Sequence, residues 1–350
     1  MLYKDKTKKV FAGKVAIGGD APVSVQSMLN VKADNIEGNV LQAKGLEAAG
    51  CEIIRVSVPD MNSVKLIYAL KEAVSVPIVA DIHFDYKLAL ESVAAGVDKV
   101  RINPGNIGAE ENVKAVASAC KAAGVPIRIG VNSGSLEKEI LAKYGAPTAE
   151  AMVESGLYHI SLLEKYDFDD IVLSLKSSDP KRMYDAYTLA SEKCYYPLHL
   201  GVTEAGTERM GVIKSSAAIG GLLLRGIGST IRVSLTDDPL LEVKAAKELL
   251  TAIGLRNDGI RFVSCPTCGR TSIDLIGIAK AAEERFSGIN KNITVAIMGC
   301  AVNGPGEARE ADLGIAGGNG EGLIFAKGKI IKKVREEELL DELEKEINKL

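Results

Sequence analysis

Short apolar, β-branched segments recur eight times before residue 240, and Pro, Gly or Asp bounds each of them. Amphipathic segments of helical periodicity lie between them, for example at 39–49, 64–73, 87–95, 111–123 and 184–193. Strands that alternate with helices form parallel sheets, and eight such units favour a closed TIM-type (β/α)8 barrel over an open doubly wound sheet. The predicted strands are 23–28, 53–58, 78–83, 99–104, 127–132, 171–176, 197–202 and 230–235.

The regular alternation of strands and helices ends after about residue 255, which predicts a second domain. We expect a strand at 261–264, a helix at 273–286, a strand at 294–298, strands near 313 and 323, and a charged terminal helix from 336. This order is typical of a small α+β domain. We therefore predict a barrel over residues 1–256 and an α+β domain over 257–350, with a hairpin at 9–18 that closes the bottom of the barrel.

Composition excludes several classes of protein. Forty-three basic and 46 acidic side chains leave a net charge of −3, which provides no field for nucleic acid or an anionic membrane. No apolar run approaches the roughly 18 residues of a membrane span, and no apolar segment follows the basic start, so we see no export signal. Six irregularly spaced cysteines indicate reduced thiols and a cytoplasmic protein.

Polar side chains occupy the carboxyl ends of the predicted strands, where barrel enzymes place their catalytic groups. Residues two or four apart on a strand share a face, so each pair points toward the mouth of the barrel. Four arginines and a lysine at one mouth need a compensating polyanion, such as a diphosphate, or internal acids such as Asp81 and Glu204. The pairs are Arg55 with Ser57, Asp81 with His83, Arg101 with Asn103, Arg128 with Asn132, Ser174 with Lys176, His199 with Thr203, and Arg232 with Ser234.

Other roles stay open for some of these residues. Lys176 could form a Schiff base, as in barrel aldolases. His83 and His199 could act as acid or base, whereas His159 falls on a predicted helix and is expected to be inert. The standard phosphate-binding motifs of nucleotide hydrolases and Rossmann dehydrogenases are missing from the sequence.

Three cysteines of the second domain suggest a metal centre. Cys265 and Cys268 form a CxxC motif, and 31 residues separate Cys268 from Cys300, with Glu307 as the available oxygen donor. Three thiolates with one weaker ligand suit an iron-sulfur cluster, although a dithiol redox pair or a structural zinc site also fits a CxxC motif. Cys51, Cys120 and Cys194 lie in apolar contexts and are expected to fill the core.

Seven motifs, in this order, closely resemble the 4-hydroxy-3-methylbut-2-enyl diphosphate synthase family in its bacterial two-domain form. They extend over most of the chain. The motifs are VQSM at 25–28, VADIHFDY at 79–86, RINPGNIG at 101–108, IRIGVN at 127–132, PLHLGVTEAG at 197–206, CPTC at 265–268 and CAVNGPGE at 300–307.

The resemblance implies a reductive opening of 2-C-methyl-D-erythritol 2,4-cyclodiphosphate, with a 4Fe-4S cluster and electrons from ferredoxin or flavodoxin. It implies that Glu204 donates a proton and that Glu307 both binds iron and takes part in catalysis by yielding its iron to a substrate oxygen. The other cluster ligands implied are Cys265, Cys268 and Cys300. The residues implied to bind the diphosphate are Arg55, Arg101, Arg128, Asn132, Lys176, Arg232 and Ser234, and we add Asp81, His83, Asn103 and His199 from the same strand ends.

The resemblance also implies a homodimer whose active sites combine the cluster domain of one chain with the barrel of the other. Two rival functions remain. One is a Schiff-base lyase on phosphorylated substrates, which uses Lys176 and has a structural zinc tail. The other is a metal-ribbon module for nucleic acid, which the net charge, the absence of Trp and the 5% aromatic content disfavour.

Overall fold

A computed structural model describes residues 3–257, 259–300, 306, 308–318 and 320–350. The chain divides into two compact units, Met1–Leu249 and Leu250–Leu350. The predicted boundary after residue 256 stays a prediction, since helix α11 (Pro239–Ala252) runs across this division.

The first unit is a barrel of eight parallel strands, which confirms the fold predicted from the sequence. Around the sheet the order is β8-β7-β6-β5-β4-β3-β10-β9, and a parallel bridge between Leu173 and Leu198 brings β8 to β9. The strands are β3 (Ser24–Met28), β4 (Ile53–Ser57), β5 (Ile78–Asp81), β6 (Lys99–Ile102), β7 (Ile127–Asn132), β8 (Ile171–Lys176), β9 (His199–Leu200) and β10 (Thr230–Ile231).

The last two strands are shorter than the predicted 197–202 and 230–235, and their paired residues are only His199–Leu200 and Thr230–Ile231. A side chain at Gly201 would place its Cβ 3.1 Å from the carbonyl oxygen of Arg232, a tight contact that favours glycine at this close approach of the backbones.

Helices connect the strands on the outside of the barrel, and side-chain caps begin several of them. Asp60 and Thr148 accept hydrogen bonds from the backbone N–H groups of Ser63 and Ala151, and Gly124 ends α5 in the left-handed conformation. The helices are α1 (Tyr3–Lys6), α2 (Ile36–Ala48), α3 (Met61–Ala73), α4 (Tyr86–Ala94), α5 (Glu110–Ala123), α6 (Lys138–Tyr144), α7 (Ala149–Glu164), α8 (Pro180–Lys193), α9 (Glu208–Ser215), α10 (Gly221–Leu224) and α11.

The amino-terminal hairpin closes one end of the barrel, as predicted. Strands β1 (Val10–Ala12) and β2 (Val15–Ile17) pair antiparallel. Their side chains form an apolar cluster with Ile53, Val79 and Val172 from three barrel strands. The opposite, carboxyl end of the barrel is therefore the end left for a ligand.

Among its described residues, the second unit has a five-stranded sheet and two long helices, which confirms a small α+β domain. Strands β11 (Arg261–Ser264), β12 (Thr294–Met298) and β13 (Leu313–Gly317) are parallel, and β14 (Glu321–Ala326) and β15 (Lys329–Arg335) continue the sheet antiparallel. Helices α12 (Leu275–Phe286) and α13 (Leu339–Lys349) bury their apolar faces against the sheet, with Leu339, Leu343 and Ile347 in the core.

Strand β15 was missed by the sequence analysis. Six of its seven residues are exposed, since it lies at the edge of the sheet, and its four basic side chains hide the β pattern. Among the described residues, no helix is both long and apolar enough to cross a membrane.

Candidate active site

A polar cavity of about 180 Å³ opens among the carboxyl ends of the barrel strands. Its walls come from all eight strands or the turns that follow them, because alternate residues of each strand point to the barrel interior. The lining residues are Met28, Arg55, His83, Arg101, Arg128, Asn132, Ser174, Lys176, Thr203, Arg232 and Ser234.

Asp81 anchors two of the arginines beneath this cavity. Its fully buried carboxylate accepts hydrogen bonds from Arg55 and, at 3.2 Å, from Arg101, and His83 Nε2 lies 3.5 Å away. Burial alone would raise the pKa of this carboxyl, but Arg55, Arg101 and then His83 hold it well below its usual range. Asp81 is therefore ionised and fixes the direction of both guanidinium groups.

Glu242 of α11 anchors a third arginine in the same way. Its buried carboxylate accepts two hydrogen bonds from Arg232, at 3.0 and 2.9 Å. Ser27 and the backbone N–H of Leu235 donate to the same carboxylate, at 2.8 and 3.0 Å. This bidentate pair fixes the plane of the guanidinium group at the cavity wall.

Glu242 was not among the predicted site residues, although the sequence carries a signal for it. Ala246 and Leu249 follow Glu242 at helical spacing on the same face, and both are buried. A charged residue on the buried face of a helix needs a partner, and here the partner is the arginine at the end of β10.

Arg128 and Lys176 line the cavity with no carboxylate partner among the described residues. Arg128 is 1% exposed, and its Nε and Nη2 atoms have no hydrogen-bond partner in the described chain. Burial, followed by the field of Arg55, Arg128 and Arg232, holds the pKa of Lys176 well below its usual range. The described cavity thus combines five cationic side chains with only two buried carboxylates, and it is suited to an anion with several charges.

Eight of the predicted site residues line the cavity, and the others do not. Asn103 is buried and its side-chain oxygen accepts a hydrogen bond from the N–H of Gly105, because the Asn-Pro-Gly sequence caps a short 3-10 helix. His199 is fully buried inside the barrel, and Asp81 lies behind its arginines. Glu204 is exposed and has a left-handed backbone, with φ of 52°, directly after the cavity residue Thr203.

Three lining residues were absent from the predicted site, and His159 lies on a helix as predicted. Met28 contacts Arg232 through its sulfur, at 3.4 Å. Ser174 and Thr203 belong to the predicted strand-end pairs, but they were not assigned to the site. His159 is fully buried on α7 and pairs with Glu137 at 2.5 Å.

The cysteines of the second unit lie on loops after two adjacent parallel strands. Cys265 follows β11, and its sulfur accepts a hydrogen bond from the N–H of Gly299, at 3.2 Å, next to Cys300. Hydrogen bonds from the backbone and then the side chain of Arg270 lower the pKa of the exposed Cys268 thiol. Thiolate character and N–H donors to sulfur are features of metal-bound cysteines.

The cluster ligand set is only partly within the described chain. Glu307 lies outside the described residues, and so does Gly304 of the same motif. Within the described ranges, no three Cys, His, Asp or Glu side chains form a group that could hold a metal. The three thiols and the N–H donor nonetheless have the chemistry that an iron-sulfur cluster requires.

Comparisons with known proteins cover nearly the whole chain. Residues 7–247 match the family model described as the GcpE TIM-barrel domain, and residues 261–349 match the GcpE protein C-terminal domain. A 4-hydroxy-3-methylbut-2-en-1-yl diphosphate synthase (flavodoxin) from Clostridium perfringens is 58% identical over 98% of this chain and 98% of its own length. The enzyme of the same name from Clostridium acetobutylicum is 57% identical over 100% of both chains.

Solved structures share the barrel at low sequence identity. The 3-dehydroquinate dehydratase of Geobacillus kaustophilus matches with a TM-score of 0.52 and 14% identity, over 72% of this chain and 98% of that one. The dihydropteroate synthase of Stenotrophomonas maltophilia matches with a TM-score of 0.50 and 16% identity, over 70% of this chain and 98% of that one. These likenesses show the fold alone.

Proposed function

The chain belongs to the GcpE family, and from this membership we propose how its residues carry out the family's reaction. It catalyses the reductive ring opening of 2-C-methyl-D-erythritol 2,4-cyclodiphosphate to (E)-4-hydroxy-3-methylbut-2-enyl diphosphate in the non-mevalonate isoprenoid pathway. Flavodoxin is its electron donor. The ligand of the cavity, the cofactor, the role of each residue and the assembly are our proposals.

The barrel cavity binds the cyclic diphosphate. The observation that carries this assignment is the excess of cations over carboxylates at the cavity, above all Arg128 and Lys176, which have no carboxylate partner in the described part of the chain. A cyclic diphosphate has one negative charge on each phosphoryl group, and its oxygens accept the hydrogen bonds that these side chains lack. Asp81 and Glu242 hold the other arginines in place before the ligand arrives, so less side-chain entropy is lost on binding.

Arg128→Met tests this site. We expect it to weaken binding of the cyclic diphosphate at least about tenfold, since a charge-assisted contact in a desolvated cavity is lost. Arg182→Met on α8 is the matched control, because that arginine lies on the surface of the barrel and contacts Asp179 at 3.9 Å. Equal affinities of the two variants, measured by calorimetry, would place the diphosphate elsewhere.

Cys265, Cys268, Cys300 and Glu307 hold a 4Fe-4S cluster in the second unit. The lowered pKa of Cys268 and the N–H donated to Cys265 support this assignment, and Glu307 enters it from the family motif. When bound, the cluster supplies single electrons for cleavage of a carbon–oxygen bond. Protein purified without oxygen should contain about four iron and four sulfide per chain. One zinc without sulfide, persisting after anaerobic reconstitution, would contradict the cluster.

The chain's own residues bind and orient the substrate and move a proton. Arg128 and Lys176 neutralise the phosphoryl oxygens, and Asn132 and Ser234 of the same cavity add neutral donors. Glu204 donates a proton near the departing oxygen. Its exposed side chain and left-handed backbone beside Thr203 support this role, because such a conformation is typical of functional positions. Glu204→Gln should bind the cyclic diphosphate as wild type does but lose turnover; full turnover would remove Glu204 from the reaction.

The enzyme is a homodimer in which each active site combines two chains. The cation cavity belongs to the first unit of the chain and the cysteines to the second, and the family resemblance supports a shared site. Mixing Arg128→Ala chains with Cys300→Ser chains should restore activity in heterodimers, because one of the two sites then has both intact halves. Absence of complementation in verified heterodimers would show that each site is made within one chain.

The Schiff-base alternative is not favoured. Lys176 has the lowered pKa that imine-forming lysines share. However, the full-length relatives are named as 4-hydroxy-3-methylbut-2-en-1-yl diphosphate synthases, and burial, followed by the field of the surrounding arginines, accounts for that pKa. We place the enzyme in the cytoplasm, a location supported by its six free cysteines.

A further inference from the structure

A second set of polar side chains lies deeper in the barrel than the cavity. In most barrels this level is filled by Val, Ile and Leu. Here the side chains are fully or almost fully buried, and they have polar atoms without a hydrogen-bond partner in the described chain: Ser24, Gln26, Lys99, His199 and Thr230. Buried polar groups without partners are rare and call for an explanation.

Lys99 is the one ammonium side chain among them. It shares the inward face of β6 with Arg101, and two residues along a strand place it about 7 Å deeper than that arginine. Val79 lies opposite it on β5 and belongs to the apolar cluster formed with the hairpin. Lys99 is therefore enclosed between the cavity and the closed end of the barrel, and it does not line the cavity.

No carboxylate is free to pair with Lys99 among the described interior residues. Asp81 is engaged by Arg55 and Arg101, and Glu242 is engaged by Arg232. The charged and titratable side chains that face the interior from the other strands are Arg55 on β4, Asp81 on β5, Arg128 on β7, Lys176 on β8, His199 on β9 and Arg232 just after β10.

An unpaired ammonium group in this position is costly, so burial without a partner favours the neutral amine of Lys99. Its Nζ has no hydrogen-bond partner in the described chain, and its side chain is 0% exposed. Burial, followed by the fields of Arg128 and Arg55, lowers its pKa well below the usual range. A diphosphate on Arg128 reverses the sign of the nearest field.

We propose that Lys99 takes up a proton from solvent when the cyclic diphosphate occupies the cavity. Nζ gains the proton and becomes an ammonium ion, and the buffer loses it, so charge is conserved. The two negative charges of the ligand offset the repulsion by Arg128 and make the buried ammonium group tolerable. The proposal rests on the proposed function, because it requires the diphosphate to bind at Arg128.

Through this proton uptake, Lys99 affects the affinity for the substrate without contacting it. A group that binds a proton only in the complex makes ligand affinity depend on pH. Affinity falls as pH rises through the range in which the complex still carries the proton and the free enzyme does not. Lys99 thereby adds a positive charge to the barrel only when a diphosphate is present to compensate it.

Calorimetry in two buffers of different ionisation enthalpy measures the proton uptake. The cyclic diphosphate is a suitable probe because each phosphoryl group has one strongly acidic oxygen, which does not titrate near neutral pH. We expect wild type to take up about one proton more per bound ligand than Lys99→Met does. Lys65→Met, an exposed position on α3, is the matched control and should equal wild type.

The possible outcomes separate the two proposals. Equal proton uptake by wild type and Lys99→Met, with binding intact, overturns the role of Lys99 and leaves the diphosphate site standing. No binding by wild type overturns the diphosphate site and the coupling with it. Lys99→Arg provides a second test if the methionine variant does not fold, because a guanidinium group is always charged and should likewise take up about one proton fewer.

Discussion

Asp81→Asn tests how far the stability of the free barrel depends on the carboxylate that pairs with two cavity arginines. Asp81 is fully buried and accepts hydrogen bonds from Arg55 and Arg101, which are 9% and 6% exposed. The change removes the negative charge of Asp81 and leaves the two buried guanidinium groups without an ionic partner at this position. Breaking a buried ion pair by removing one partner costs about 3–5 kcal/mol.

The cost should lie near the lower end of that range, about 3 kcal/mol, because the carbonyl oxygen of asparagine still accepts one hydrogen bond. Urea unfolding of the barrel, followed by circular dichroism without ligand, should show a midpoint about 1 M lower for a slope near 3 kcal/mol per M. Asp60→Asn is the matched control. Asparagine caps helices as well as aspartate does, so the hydrogen bond to Ser63 is retained and stability should change little.

The pH dependence follows from the lowered pKa of Asp81. A carboxyl whose pKa is lower in the folded state contributes its full stability above its unfolded pKa, about 3.9, and loses it as pH falls through the folded value. The difference between wild type and Asp81→Asn should therefore be constant from about pH 5 to 8 and shrink below about pH 4.

The ligand should recover part of this loss, because diphosphate charge replaces the missing carboxylate beside Arg55 and Arg101. Stabilisation by the cyclic diphosphate should be greater for Asp81→Asn than for wild type. A loss of less than about 1 kcal/mol without ligand would refute the reasoning, since it would mean that the two guanidinium groups do not depend on this carboxylate.

Three further substitutions test other parts of the molecule. Gly130→Ala should weaken binding of the cyclic diphosphate, measured by calorimetry, because a Cβ there would lie 2.2 Å from Nε of Arg101 and displace that side chain; unchanged affinity would show that Arg101 is dispensable. Leu343→Ala should destabilise the second unit by about 2–5 kcal/mol in urea unfolding, because its side chain is fully buried in the core, while the barrel transition stays in place. Cys268→Ser should lose iron and sulfide in elemental analysis, whereas Cys120→Ser, in the barrel core, should retain both; a full cluster in the Cys268 variant would exclude it as a ligand.

Local patterns in the sequence were sufficient for the architecture and for most of the cavity. Parallel barrel strands are buried on both faces and are read as short apolar runs, and β7 and β8 have the bounds that the pattern predicts. Polar residues two apart at the ends of these runs must share the inward face, which brought out Arg128, Asn132 and Lys176. Edge strand β15 escaped detection because exposure at a sheet edge removes the apolar signal.

Only the tertiary structure decided which charges are compensated. Glu242, on a helix, accepts hydrogen bonds from Arg232 and from Ser27, and Ser27 lies on a strand that is distant in sequence. Asp81 accepts hydrogen bonds from arginines on both neighbouring strands. These pairings arise when the sheet closes, so periodicity along the chain does not contain them. Closure of the sheet also leaves Lys99 enclosed, with no partner for its Nζ among the residues that the structure describes. The sequence by itself therefore determined the barrel and the cations at its mouth, whereas contacts between distant segments decided which of those cations remain for a ligand.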